Sequence, residues 1–143
     1  MATQRTMSTT WQGSLLEGAG TIHESRSGAF AELPVSWASR AEEPNGKTSP
    51  EELIAAAHSA CFAMALSSGL AKAGTPADQL DTSATVTFVP GAGITKVALG
   101  VRGTVPGIDA ATFLAAAEAA KTGCPVSGAL AAVPEITLDA ILV

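Results

Sequence analysis

The stretch Ser49 to Leu66, SPEELIAAAHSACFAMAL, constrains the fold more than any other part of the chain. Ser49 has the side chain of an N-cap, and Pro50 suits the first helical position. Glu51 and Glu52 place carboxylates against the positive end of the helix dipole. Ser49 and Glu52 also have the S-x-x-E spacing of a capping box, so either carboxylate can serve the helix start alone. From Leu53 to Leu66 apolar residues occupy every side, which predicts a helix to about Ala73, stopped by Gly74 and Pro76 and enclosed by protein. Such a helix leaves the rest of the chain the task of wrapping it. It also carries Cys61 mid-length among Ala, Phe62 and Met64, where burial favours the neutral thiol. A reactive Cys61 therefore needs a cation beside it. Arg5, Arg26, Arg40, Arg102 and the lysines are the candidates, and Arg40 is placed best, in the loop just before the helix.

The wrapping elements read mostly as strands. Trp11–Leu16, Thr21–Glu24 and Ala29–Trp37 are extended segments separated by Gly turns, with Pro34 marking an edge. Arg40–Ser49 is charged and rich in turn formers, a loop. Thr82–Val89 and Ile94–Val105 alternate around Pro90-Gly91-Ala92-Gly93, a hairpin. Asp109 caps a second helix reaching about Lys121, Pro125–Ala131 is a short helical piece, and Glu135–Leu142 is a last strand. The expected fold is α+β: a largely antiparallel sheet wrapped around a long buried central helix. One domain spans residues 1–143, with residues 1–8 as a flexible N-terminal segment.

Composition narrows the function classes. The net charge is −5 and the eight Lys and Arg form no cluster, so nothing offers a footprint for a phosphate backbone. The N-terminus has no apolar h-region, and charges, Gly, Pro or His interrupt each apolar run, so neither a secretory signal nor a membrane span is expected. A cytoplasmic location follows as the expectation. The apolar residues are dominated by Ala, with no Tyr and four Phe, so each buries little area and an oligomer interface is expected to add more.

Two cysteines, Cys61 and Cys124, remain to be explained. In a reducing compartment such a pair is inert, redox-active or metal-binding rather than a structural disulfide. Cys124 lies between Gly123 and Pro125, at the edge of a short helix whose first N–H groups favour a thiolate. His58 faces the same way as Cys61, three residues apart. A zinc site from His58, Cys61 and Cys124 lacks C-x-x-C spacing and is a weak reading; His58 reads as a core or interface histidine. Gly91-Ala92-Gly93 lacks the remaining glycine of a dinucleotide fingerprint, and His23-Glu24 lacks the second histidine of a zinc protease. No metal or cofactor is expected.

The helix PEELIAAAHSACFAMALS closely resembles the active-site helix of the OsmC/Ohr family of thiol-dependent hydroperoxide reductases. The likeness continues in AGITKVAL, VPGIDAATF, AKTGCPVSGAL and EITLDA, in order over about residues 9–142. His58 and the Ile94-Thr95-Lys96 strand resemble the OsmC branch more than the Ohr branch. The resemblance implies an intertwined homodimer. It also implies roles: Cys61 attacks the peroxide, Cys124 resolves it, and Arg40 and Glu51 complete the site. Ten residues of straight helix separate Glu51 from Cys61, about 15 Å along the axis, so one peroxide cannot bridge them in one chain. No Pro or Gly lies between Glu52 and Ser68 to kink the helix, which points to active sites shared across the dimer.

The implied reaction reduces organic hydroperoxides, and hydrogen peroxide more weakly, in oxidative or osmotic stress defence. Cys61 becomes a sulfenic acid, Cys124 condenses with it to a Cys61–Cys124 disulfide, and a small dithiol or dithiol protein restores both. Lowering a thiol pKa by about two units multiplies the thiolate fraction only about thirtyfold, so orientation and leaving-oxygen stabilisation must supply the rest. Ala57, Phe62, Met64 and Leu66 suggest apolar walls suited to an organic group. The alternative is a non-catalytic dimer that senses redox state or binds an apolar ligand with the same thiols.

Overall fold

The computed structural model describes residues 1–143, which fall into two units, Met1–Pro50 and Glu51–Val143. The first unit is an antiparallel meander of β1 (Thr9–Gln12), β2 (Ala19–Ile22) and β3 (Leu33–Val35). Trp11 pairs with Gly20, where a Cβ would run into the indole ring and into Val35, so only glycine lets the strands close there. Thr10 Oγ1 lies 2.9 Å from His23 Nε2, and His23 Nδ1 lies 3.1 Å from Glu32, a polar tie across all three strands.

Ala29–Trp37, expected from its sequence to be one strand, is not one. Only Leu33–Val35 is extended, and Trp37–Ala41 forms a short helix, α1. Ser36 and Ser39 close a reciprocal capping box that starts it, so two serines turn the chain where β propensity suggested continuation. Arg40 therefore stands in the last turn of a helix, not in a loop. The loop that follows turns at Asn45 and Gly46, both at positive φ, closed by Lys47 N–H donating to Pro44 O.

The second unit opens with α2, Pro50–Lys72, within a residue of both expected ends. β4 (Gln79–Val89) and β5 (Gly93–Thr104) form the expected hairpin, with Gly91 and Gly93 at positive φ in its turn. α3 (Ala110–Gly123) is capped by the Asp109 side chain, which accepts from Thr112 N–H; α4 (Pro125–Ala129) and β6 (Glu135–Leu142) follow. β6 pairs with β5 in parallel, so the expected largely antiparallel sheet is two sheets of three strands, with one parallel pair. The reason lies in the connection: two helices between β5 and β6 make a crossover, which returns a strand parallel to its predecessor.

Alternation then builds the core. Rows such as Val86/Val97/Ile136 and Ala84/Leu99/Leu138 run across β4, β5 and β6 on one face. The opposite rows, Thr85/Ala98/Thr137 and Thr87/Lys96/Glu135, are mostly polar. Onto the apolar face pack Phe62, Leu66 and Leu70 of α2 and Phe113, Ala117 and Ala120 of α3. Each large side chain buried there is worth roughly 1.5–3 kcal/mol.

Two expectations about α2 change. Its buried residues are Glu51 and then the stripe His58, Phe62, Leu66 and Leu70, four apart; Met64 on another side is 72 % exposed. In the single chain the helix is covered along one stripe and not enclosed. Its length and mean hydropathy of 1.5 also suffice to cross a membrane, contrary to the expectation that no run is long enough. What occupies its apolar stripe is the core it shares with β5 and α3.

Gly103 fixes how closely α3 approaches the sheet, because an added Cβ would collide with the Phe113 ring. Gly103→Ala is expected to destabilise the fold by about 1–3 kcal/mol in chemical denaturation. An unchanged midpoint would mean that α3 does not seat on this glycine.

Candidate active site

Cys124 stands at an elbow that its sequence enforces. The residue before a proline is pushed out of the helical region, and Cys124, before Pro125, adopts φ −68° and ψ 123° between two helices. Its N–H donates to Ala120 O and its carbonyl accepts from Gly128 N–H, so the backbone is held from both sides. The side chain is 1 % exposed. Cys61 arrives from the middle of α2 and is partly exposed.

The two sulfurs lie close enough to shift each other's ionisation. The backbone N–H groups of Val126 and Ser127 and the Ser127 hydroxyl also favour the charged form of Cys124. The two thiols consequently behave in opposite ways. Burial pushes the Cys61 thiol up, and the hydrogen bond and charge of Cys124 add to this, against the Val126 N–H. Burial also opposes ionisation of Cys124, but the bond from Cys61, the two N–H groups and the Ser127 hydroxyl outweigh it and bring its thiol below the ordinary value.

A second pair of side chains meets behind the sulfurs. His58 is fully buried, with Nε2 2.7 Å from Ser127 Oγ. Its Nδ1 is buried without a hydrogen-bond partner. Desolvation alone lowers its pKa, so the imidazole is held neutral. Ser127 escaped the sequence reading, and His58 was placed only as a core or interface histidine. A signal was nevertheless present: His58 precedes Cys61 by three residues and Ser127 follows Cys124 by three. Residues three apart share a helix face. Once the sulfurs meet, the other two side chains are brought alongside.

Of the remaining predicted residues, Glu51 stands apart from this cluster along its own helix. Glu51 is 6 % exposed in the first turn of α2. That helix is unbroken through Cys61, which keeps the two about 15 Å apart along its axis. Arg40 belongs to the other unit, on α1. No three of the chain's His, Cys, Asp and Glu side chains converge as metal ligands.

The fold thus builds a pair of thiols, one partly exposed and one enclosed, on a long helix and a pre-proline elbow. The chain belongs to the OsmC-like protein family, whose sequence pattern matches residues 43–139. It is 47 % identical over 132 residues to Peroxiredoxin OsmC of Escherichia coli (strain K12), covering 90 % of each chain. The same identity and coverage hold for Peroxiredoxin OsmC of Shigella flexneri. Among solved structures, an organic hydroperoxide resistance protein OsmC from Legionella pneumophila shares the fold at a TM-score of 0.67 and 20 % identity, over 96 % of this chain and 97 % of that one. The organic hydroperoxide resistance protein OhrB of Bacillus subtilis matches at a TM-score of 0.66 and 23 % identity, over 96 % and 98 %.

Because His58 is neutral when folded, only the unfolded chain takes up its proton as pH falls below 6.5, the ordinary histidine value. The stability that His58 contributes is therefore present above 6.5 and lost progressively on acidification toward its lower folded pKa. Wild-type stability is expected to fall more than that of His58→Gln between about pH 7.5 and about pH 5.5 in urea titrations. Parallel pH profiles would contradict a buried neutral imidazole.

Proposed function

We propose that the chain is a thiol-dependent peroxidase that reduces organic hydroperoxides to alcohols, with Cys61 as the attacking thiol and Cys124 as the resolving one. The observation that carries this reading is the sulfur pair itself: two thiols close enough to shift each other's ionisation, with Cys61 partly exposed and Cys124 enclosed. A peroxide reaches Cys61 first, and Cys124 is already in place to attack the product. The names of the curated relatives, both peroxiredoxins, agree with this.

The exposed sulfur is the one burial keeps neutral, so its activation needs help. In the proposed cycle the Cys61 proton passes to the neighbouring Cys124, and Arg40 holds the charge that develops on Cys61. Glu51 fixes the guanidinium through a charge-assisted pair. The sulfur attacks the distal peroxide oxygen, the O–O bond breaks, and Arg40 stabilises the leaving alkoxide, which takes the proton from Cys124 to become the alcohol and leaves Cys124 as a thiolate. Cys61 is left as a sulfenic acid. Cys124 attacks its sulfur and displaces hydroxide, forming a disulfide that a small dithiol or dithiol protein reduces.

Glu51 is best supplied by the partner subunit's Glu51, since an unbroken helix keeps each Glu51 from its own Cys61. Support for a homodimer comes from burial. Every buried apolar side chain lies in Glu51–Val143, whereas Trp11, Leu15, Leu16 and Phe30 of the first unit are exposed. A fifty-residue unit without buried hydrophobes needs cover from elsewhere. A location in the cytoplasm fits the proposed need for a dithiol reductant.

With dithiothreitol as reductant, the protein is expected to consume cumene or tert-butyl hydroperoxide, and Cys61→Ser to lose at least about a hundredfold in rate. Without reductant, Cys124→Ser is expected to react once and leave a trappable sulfenic acid on Cys61. Verified heterodimers of Glu51→Ala and Cys61→Ser chains should recover one working site. Full activity in Cys61→Ser would exclude the peroxidase reading, and no recovery in the heterodimer would place the site within one chain.

A further inference from the structure

The first unit holds a cavity of about 530 Å³ that no residue of the proposed cycle lines. It lies at the open end of the β1–β2 hairpin. Arg5 and Met7, just before β1, form one side, and Ser25, Arg26, Ser27 and Phe30, in the loop after β2, form the other. Its size is that of a site for a small organic molecule, which takes roughly 300–1,000 Å³.

Local chemistry builds both walls. Ser25 Oγ accepts the Phe30 N–H at 3.0 Å, and Ser27 Oγ accepts the Ala29 N–H at 3.3 Å. Gly28, at a φ of 74°, turns the loop and donates its N–H to the Ser25 carbonyl at 2.9 Å. Opposite, the Ser8 carbonyl accepts the His23 N–H at 2.9 Å, which carries the β1–β2 pairing up to the cavity. The loop is thus closed by its own hydrogen bonds before any ligand arrives, so little order remains to be imposed by binding.

The charge at this cavity is of one sign. The chain has 8 Lys and Arg against 13 Asp and Glu, yet two of its arginines and none of its carboxylates line this space. Arg5 and Arg26 are far apart in sequence, so no cluster shows there. Neither makes an ion pair; Arg5 Nη1 donates to the Gln4 carbonyl. Two guanidiniums beside one space repel each other unless an anion lies between them, and their planar forks suit a carboxylate. Ser25 and Ser27 share one hydrogen bond at 3.1 Å, which leaves one of their two hydroxyl protons for a further acceptor. Met7, 44 % exposed, and Phe30, 42 % exposed, add apolar surface. The N–H groups of Gly28, Ala29 and Phe30 are already spent within the loop, so it offers no nest for a phosphate. From this juxtaposition we infer that the cavity is a binding site for a small organic carboxylate: Arg5 and Arg26 hold the charged end, and Met7 and Phe30 hold the apolar body. The inference does not rest on the peroxidase reading. Trp11, Leu15 and Leu16 do not line the cavity and remain available to a partner subunit.

Isothermal titration of the reduced protein with sodium octanoate is expected to show one ligand per chain. Arg5→Gln and Arg26→Gln are each expected to weaken binding at least about tenfold, the effect of losing a hydrogen bond to a charged group. 1-Octanol keeps the apolar body without the charge, and inorganic phosphate keeps the charge without the body; both should bind at least about tenfold more weakly than octanoate. Both arginines are exposed, so the two variants are expected to keep the wild-type urea midpoint. In the unmodified protein, octanoate is expected to shift the amide resonances of Ser25–Phe30, a readout that needs no variant. Absence of octanoate binding would overturn the inference. So would binding indifferent to both arginine changes, amide shifts confined to other parts of the chain, or phosphate binding as tight as octanoate. No peroxide enters these measurements, so loss of the peroxidase reading leaves their outcome standing.

Discussion

Most of what distinguishes this chain depends on one juxtaposition, that of the Cys61 and Cys124 thiols. Each sulfur is delivered by a separate constraint. α2 carries Cys61 on a continuous helix anchored through Phe62, Leu66 and Leu70. Pro125 breaks the path between α3 and α4, which leaves Cys124 in an extended elbow with its backbone bonded on both sides. Gly103 lets Phe113 press α3 onto the sheet, so even the approach of the elbow depends on an absent side chain. A disulfide needs its Cα atoms within a narrow range, and mounting both residues on packed elements restricts how far they can drift.

The same contact divides the charge unevenly. Neighbouring thiols resist double ionisation, so one is a thiolate before the other. Here backbone N–H groups and Ser127 favour Cys124, while burial and its neighbour keep Cys61 neutral. The partly exposed sulfur is thus the one whose pKa is pushed up. An account of peroxide attack at Cys61 must therefore bring positive charge from outside this cluster, and that is the part proposed for Arg40.

Much of this was legible in the sequence, and the parts that were not share a physical origin. The start of α2, the β4–β5 hairpin and the Asp109 cap depend on local chemistry at Pro50, Gly91 and Gly93, and Asp109, and all appear where expected. α1 was missed because Ser36 and Ser39 cap each other inside a segment of apparent strand character. The parallel pairing of β6 is a property of the crossover and not of residues 135–142, whose alternation suits either direction. The His58–Ser127 bond joins residues 69 apart, and nothing local announces it. Cys61 and Cys124 themselves were found as a pair through their motifs, and the fold accounts for why those motifs contain a proline after one cysteine and a histidine before the other. The one-sided burial of α2 could not be seen in an all-round apolar pattern, because that pattern serves a core and an intersubunit surface equally well.

The central claim is that one exposed and one enclosed thiol in the same chain are the two halves of a single redox reaction. It is tested most directly by treating the reduced protein with one equivalent of cumene hydroperoxide and mapping its peptides under non-reducing conditions. The account predicts a species lighter by two hydrogens in which the Cys61 and Cys124 peptides are joined within one chain. Recovery of both cysteines as free thiols, or of a disulfide linking Cys61 to Cys61 of the partner subunit, would contradict it.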